Sequence, residues 1–386
     1  MDSLERHYEY YTDTGADGVQ IIKSVPAFLT LEREWRGLCN RVPDHYFTQG
    51  FDWCRASWEK IAEPRGRRLH CLVVRQDRRA VLIWPLVTYQ QRFWSIARPL
   101  GPETTEYTAP LVEDGPHSAQ WIAEAWRIVR KTSISDVIFL PYVRADSPLH
   151  RIISREEAAV PPRIDKTSYI NWDAYPDWDS YYHTLDRKER QGVSRRRRRL
   201  SELGTLTFRP MIDPHECPEV VDWMLAQKAD WLRRTGRQSP WRDGDEYRRF
   251  LVALSSRTEG VPRMVISLLS LDGKFVAAAL SRRDNARLEG VIIVFDPAYR
   301  QFGPGKILQE AVIRWACEQR LIFDYRIGAE AYKRHMSNGE CDAISYAFAN
   351  SLWGKAYFRL LPIWARIPPR LRRFIQTGAY SSAVQA

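Results

Sequence analysis

Twice along its 386 residues the chain runs through the same order of patterns: a hairpin, a third strand, a loop, an amphipathic helix and a further strand. In the first pass Cys71-Leu72-Val73-Val74 turns at Gln76-Asp77-Arg78-Arg79 into Val81-Leu82-Ile83-Trp84. Trp94 to Leu100 follows, closed by Gly101-Pro102. Ile122, Ala125, Ile128 and Val129 then recur at helical spacing ahead of Val137-Ile138-Phe139-Leu140. In the second pass Met264 to Leu271 turns at Asp272-Gly273 into Phe275 to Leu280, and Val291 to Phe295 follows. Ile307, Leu308, Ala311, Val312 and Trp315 mark the helix, and Ile322 to Tyr325 the last strand. Such repetition predicts two copies of one supersecondary unit. Pro161-Pro162 suits neither a helix nor a central strand, so the expected halves are residues 1–162 and 163–386. A chain of this length can bury a core in each.

The loops at corresponding places differ. The second copy connects strand to helix through Arg300-Gln301-Phe302-Gly303-Pro304-Gly305-Lys306. Gly303 and Gly305 can take positive φ and admit a ligand close to the backbone, and Pro304 stiffens the turn between them. A strand, a glycine loop and a helix start aim backbone N–H groups and a positive helix end at a phosphate. A glycine pair before a helix also serves as a plain tight turn. The first copy instead has Gly101-Pro102-Glu103-Thr104-Thr105-Glu106-Tyr107-Thr108-Ala109-Pro110, continuing through Glu113 and Asp114. Four carboxylates repel a pyrophosphate at short range. One cofactor site is therefore expected, in the second half, with the first half walling the acceptor cleft. Glu103 and Glu106 suit an amine there, or are solvated loop residues.

Arg300-x-x-Gly303-x-Gly305 between a strand and a helix resembles the pyrophosphate loop of the GCN5-related N-acetyltransferase (GNAT) superfamily. Asp324-Tyr325-Arg326-Ile327-Gly328-Ala329-Glu330-Ala331-Tyr332-Lys333 resembles the D-x-x-x-G-x-E-x-Y-K block of the bacterial cellulose-biosynthesis (CelD-like) acetyltransferases. These are relatives of the FemAB peptidoglycan aminoacyltransferases. The resemblance implies an α/β (α+β) class: tandem GNAT-like folds, each a mixed, mostly antiparallel sheet with flanking helices. It implies acetyl-CoA or a longer acyl-CoA as cofactor, no metal, and direct transfer to an amine without a covalent enzyme intermediate. The acceptor would be an amino-sugar or another small or lipid-linked amine of envelope or exopolysaccharide metabolism. Pantetheine would lie between strands ending near Phe295 and Asp324, with Arg300, Gln301, Phe302, Gly303, Pro304, Gly305 and Lys306 around the pyrophosphate. Tyr332 and Lys333 match the family's Y-K pair, and Glu330 matches more loosely. Glu330 and Tyr332 are the candidates for proton transfer and Lys333 for an electrostatic donor, with packing or capping as the bland alternative. Glu103, Glu106, Tyr107 and Arg196 are the candidates on the acceptor side.

The most charged segment, Tyr181 to Leu203, contains five consecutive arginines. Read as one helix, it places Tyr182, Leu185, Glu189, Val193, Arg196, Leu200 and Leu203 on one side. Arg195, Arg197, Arg198 and Arg199 then read as solvated or paired with neighbouring acids. Arg196, on the inward stripe, needs a carboxylate or phosphate partner. Residues 352–375 mix aromatic residues and leucine with arginine and suit either a cap on the fold or a peripheral contact with an anionic membrane.

Net charge is +11, which favours polyanions without choosing among them. The six cysteines form no C-x-x-C pair and read as reduced cytosolic thiols, neither a disulfide frame nor a zinc site. The N-terminal residues carry no visible secretory signal and no run reaches bilayer-spanning length, so a cytoplasmic place, or the inner face of the membrane, is expected. Two other readings stand beside the acyl-CoA enzyme. One is FemAB-like aminoacyl transfer with the basic helix contacting tRNA; no other nucleic acid is expected as a partner. The other is a non-catalytic regulator of polysaccharide synthesis that binds acyl-CoA or a cyclic dinucleotide.

Overall fold

The computed structural model describes residues 18–104, 106–132, 135–236, 244–257, 263–328 and 331–366. The first half contributes β1 (Gly18–Ile22), α1 (Val25–Thr30), α2 (Glu32–Arg41) and α3 (Phe51–Ser57). It continues with β2 (Arg68–Gln76), β3 (Arg79–Gln91), β4 (Trp94–Pro99), β5 (Leu111–Val112), α4 (Ser118–Thr132), β6 (Val137–Arg144) and α5 (Pro148–Ile153). There follow β7 (Arg163–Ile170), α6 (Trp178–Thr184), α7 (Arg187–Ser201), β8 (Leu206–Arg209), α8 (Cys217–Thr235) and α9 (Gly244–Ser255). The second hairpin and its successors are β9 (Arg263–Leu271), β10 (Lys274–Arg283), β11 (Arg287–Phe295), a short 3-10 turn Pro297–Phe302 and α10 (Pro304–Glu318). The described chain closes with β12 (Ile322–Ile327), α11 (Ala331–Met336), β13 (Gly339–Ala349) and α12 (Leu352–Arg366).

All the described strands join one mixed sheet, in the order β1-β2-β3-β4-β6-β13-β7-β12-β11-β10-β9-β8, with β5 on the edge of β3. Among them only β4/β6 and β11/β12 pair in parallel; these are the strands that the two repeated helices, α4 and α10, connect. The expected duplication is thus visible in the pairing. What joins the halves is an exchange. β13 follows β12 in the chain, yet it pairs with β6 and β7, while β7 lies against β12.

Strands buried on both faces need apolar residues at every position, and β10 shows it: Ala277 and Ala279 face one core, Ala278 and Leu280 another. Helices α1 to α3 and α8 to α9 cover the same side of both halves, where Trp35 and Trp53 share a core with Val220, Phe250 and Leu280. On the opposite side α4 packs Ile122, Ala125 and Val129 on the first half. There α7 and α10 cover the second half with Val193, Leu200, Ile307 and Val312.

The arginine-rich segment is two helices, not one. Leu185 turns extended (ψ 154°) and Asp186 caps α7, its carboxylate accepting the Lys188 N–H at 2.6 Å. Leu203 is exposed, beyond the end of α7, so the inward stripe stops at Leu200.

Candidate functional site

Strands β11 and β12 pair at Arg287–Ile322, Leu288–Phe323 and Glu289–Asp324, and then part. β11 continues from Gly290 to Phe295 with β10 on one side only. Its other edge offers backbone N–H and C=O groups to an extended ligand, as an unpaired strand does. Ile293, 38% exposed, and the half-buried Phe295 stand along this groove. A Cβ at Gly305 would lie 3.7 Å from Ile293 and 3.4 Å from Phe295, so the groove runs to the start of α10.

There Gly303 adopts φ 59° and ψ 50°, the left-handed conformation that glycine takes without strain. The Gly303 N–H donates to Arg300 O (3.1 Å) and the Lys306 N–H to Gly303 O (3.0 Å). Pro304 has no N–H. With the Gly303 and Lys306 N–H groups already given to backbone carbonyls, the loop offers fewer free amides than the motif alone suggests. Cations supply what the amides do not. Arg196 of α7 lies directly on the loop: a Cβ at Gly303 would sit 2.9 Å from its Cδ and 3.1 Å from its Nε. Its guanidinium makes no ion pair among the described residues. Arg300 and Gln301 are exposed, while the Phe302 ring is buried in the core with the Arg199 guanidinium 5.4 Å above it. Lys306 pairs loosely with Glu189 (3.6 Å). Arg197, one of the arginines expected to be solvated or paired with a neighbouring acid, pairs with the buried Glu310 of α10 and fastens the two helices together.

On the far side of the sheet, Asp324 is 1% exposed and accepts from the Tyr107 hydroxyl (3.0 and 3.1 Å), the Thr167 hydroxyl (3.3 Å) and the Arg326 backbone N–H (2.6 Å). Burial, together with this carboxylate, pushes the Tyr107 phenol well above its ordinary range. The Arg326 contact comes from a bulge, in which Tyr325 and Arg326 face one residue of β7 and Arg326 takes φ 58°. The first copy repeats it at Tyr142 (φ 51°), whose N–H donates to Ser345 Oγ (3.1 Å). The two copies therefore match down to this irregularity.

The loop from Gly101 to Pro110 crosses to the second half and brings its carboxylates with it. Glu106 accepts from Arg282 (2.7 Å) and the Thr104 N–H (2.8 Å), with Arg326 at 3.9 Å. Burial opposes its ionisation, but Arg282 and Arg326 outweigh that and hold it below the usual carboxylate range. Glu103 sits between Arg67 and Arg98, with the same balance. Glu289, at the point where the strands part, has Arg282 3.3 Å away; burial keeps its carboxyl above the ordinary range. A cleft lined by Trp53, Arg98, Leu100, Glu103, Glu106 and Tyr107 opens where β4 parts from β6, after their pairing at Ile96–Val137 and Ala97–Ile138.

Of the residues expected around the pyrophosphate, Gly303 and Gly305 lie at the end of this groove while Phe302 turns into the core instead, and Arg196 lies against Gly303 rather than with Glu103 and Glu106. Those two carboxylates are already neutralised by arginines, and Tyr107 is tied to Asp324. Lys333, 6% exposed, points back along α11 and donates to Ile327 O at 2.9 Å. Glu330 lies outside the described residues, as does the side chain of Tyr332. Glu289 and Arg282 were not singled out in the sequence, and Asp324 and Arg326 entered only as members of the CelD-like block, without their buried partners. Their signal was there: charged residues inside otherwise apolar strands demand buried partners.

Residues 187–334 match the family described as acetyltransferase (GNAT) domain. The solved structure of FemX superposes with a TM-score of 0.54 at 12% identity, covering 80% of this chain and 95% of that one. The C-terminal domain (DUF2156) of a putative lysylphosphatidylglycerol synthetase from Agrobacterium fabrum superposes with a TM-score of 0.51 at 11% identity, covering 86% and 96%. At such identities the likeness shows a common fold. No curated protein sequence matches the chain.

Proposed function

We propose that the protein is an acyl-CoA-dependent N-acyltransferase with one cofactor site, formed in the second half. The observation that carries this reading is the free edge of β11, which leads from the parting of β11 and β12 to the loop at Gly303 and Gly305. An extended pantetheine would add to that edge through backbone hydrogen bonds, with Ile293 and Phe295 against its apolar parts. Its phosphates would meet the Gly305 N–H, the positive end of α10, Arg196 and Arg300. Support comes from the GNAT-domain match, which spans β11, the loop, α10 and β12.

Attack of an amine on the thioester carbonyl gives an amide and releases CoA as the thiol. The amine must lose a proton, and the developing oxyanion needs a donor. Lys333, on α11 just after β12, is the donor in this reading, and Glu330 with Tyr332 the proton-transfer pair. Glu106 and Glu103, held by arginines, would shape the acceptor cleft instead of binding the ammonium directly. The resemblance of residues 324–333 to the CelD-like block points to an amino-sugar acceptor of polysaccharide or envelope metabolism.

The test follows CoA release from acetyl-CoA with a panel of amino-sugars. Acceleration by one class of amine supports the proposal, and Glu330→Gln should remove an ionisation from its pH–rate profile. Tight CoA binding with no acceleration by any amine would favour a regulator. Binding of charged tRNA with no binding of acyl-CoA would favour aminoacyl transfer on the FemX-like fold.

A further inference from the structure

Three large apolar side chains, none used by the site above, stand exposed along one edge: Phe93 (74%), Leu352 (84%) and Trp353 (50%). Phe93 is at the tip of the β3–β4 hairpin, and the other two open α12. They are not loose ends. The Trp353 indole N–H donates to Phe93 O (3.0 Å) and its ring stacks on buried Trp94 (5.4 Å). Trp94 in turn donates to Trp353 O (2.9 Å), and Tyr357 packs edge-on against it (5.3 Å). Residues from distant parts of the chain are thereby fixed as one apolar rim.

Cations continue that rim. Lys355 and Arg359, three and seven residues after Leu352 on the same helical face, are exposed. Rigid aromatic and leucine side chains beside a basic helical face fit the boundary of a lipid bilayer that carries negative headgroups. A second copy of the chain fits less well, because a two-fold contact would bring these like charges together. No helix among the described residues is long and apolar enough to cross a membrane, so the contact would be at its surface.

We propose that this edge docks on anionic bilayers, with Phe93, Leu352 and Trp353 entering the headgroup boundary while Lys355 and Arg359 face the lipid phosphates. The proposal does not depend on the acyl-CoA reading. Its test is sedimentation of the full chain with phosphatidylcholine vesicles, with and without phosphatidylglycerol. Wild type should bind only the anionic vesicles and leave them at high salt. Phe93→Ser/Leu352→Ser and Lys355→Glu/Arg359→Glu should each weaken binding at least about tenfold. Circular dichroism, melting temperature and acetyl-CoA titration should be unchanged, since all four side chains are exposed. Failure of wild type to sediment, or undiminished binding by Phe93→Ser/Leu352→Ser, would overturn the proposal. So would light scattering that finds a dimer dissociated by that same pair, which would assign the edge to a second copy.

Discussion

Arg196 and Gly303 are in contact: the stem of the arginine occupies the space a Cβ at residue 303 would need, 2.9 Å from its Cδ. One glycine thus meets two demands, a left-handed turn at the start of α10 and room for a cation from α7. Gly303→Ala should lower stability by about 1–2 kcal/mol from the backbone alone, and displace the arginine as well. In Gly303→Ala/Arg196→Ala the clash is gone but the backbone strain is not. Its melting temperature should lie above that of Gly303→Ala and below that of Arg196→Ala.

Arg196 and Arg198 sit two residues apart on α7, but Arg198 is exposed and away from the loop. If Arg196 holds a phosphate, Arg196→Ala should weaken acetyl-CoA binding by about tenfold or more, the scale of a charge-assisted hydrogen bond. Arg198→Ala should leave affinity within about twofold. Calorimetric titration of both variants checks the contrast. Equal affinities would return Arg196 to a solvated surface.

The Tyr107 hydroxyl and the Asp324 carboxylate tie the first-half loop to β12. Tyr107→Phe leaves a buried carboxylate short of one donor and should destabilise by about 1–3 kcal/mol, read as a shift in denaturant midpoint. Asp324→Asn should lower the Tyr107 phenol towards its ordinary range, because the charge that adds to burial in raising it is removed.

Asp284, in the turn between β10 and β11, has its carboxyl pushed up to about 7 by burial, against the pull of Arg287. It is protonated in the folded chain and ionised in the unfolded one between its ordinary value and about 7. The unfolded state binds fewer protons there, so stability falls as pH rises through that window. At about 1.4 kcal/mol per unit, the loss is of the order of 4 kcal/mol. Asp284→Asn keeps the acceptor for the Ala286 and Arg287 N–H groups and should flatten this decline between pH 5 and 8 in thermal melts. A wild-type curve that rises over the same interval would contradict the assignment.

Local order was legible in the sequence because it is carried by local patterns. Both hairpins, the helices α4 and α10 and the strands they connect follow from apolar spacing, and Gly303 from its place before a helix. The exchange of β7 and β13 was not, since nothing local in Arg163–Ile170 says that its neighbours are Phe323 and Ile344. The break at Leu185–Asp186 was hidden by a stripe that continues across it; only the capping aspartate marks it. Glu103 and Glu106 looked like free carboxylates because Arg67 and Arg282 lie far away in sequence, and nothing local marks Arg98, on β4, as the partner of Glu103. The bulge at Arg326 leaves no trace in an alternating pattern, yet it aims that side chain at the Thr104 carbonyl.

A single acyl-CoA site at the second-half loop can be read out by calorimetric titration of acetyl-CoA. Wild type should bind one equivalent per chain. Gly305→Glu, which sets a carboxylate beside Phe295 where the pyrophosphate is expected, should abolish the signal. Gly101→Ala, at the corresponding place in the first half, should leave it intact. Two equivalents per chain, or binding that survives Gly305→Glu and is lost in Gly101→Ala, would rule out a single site at the second-half loop.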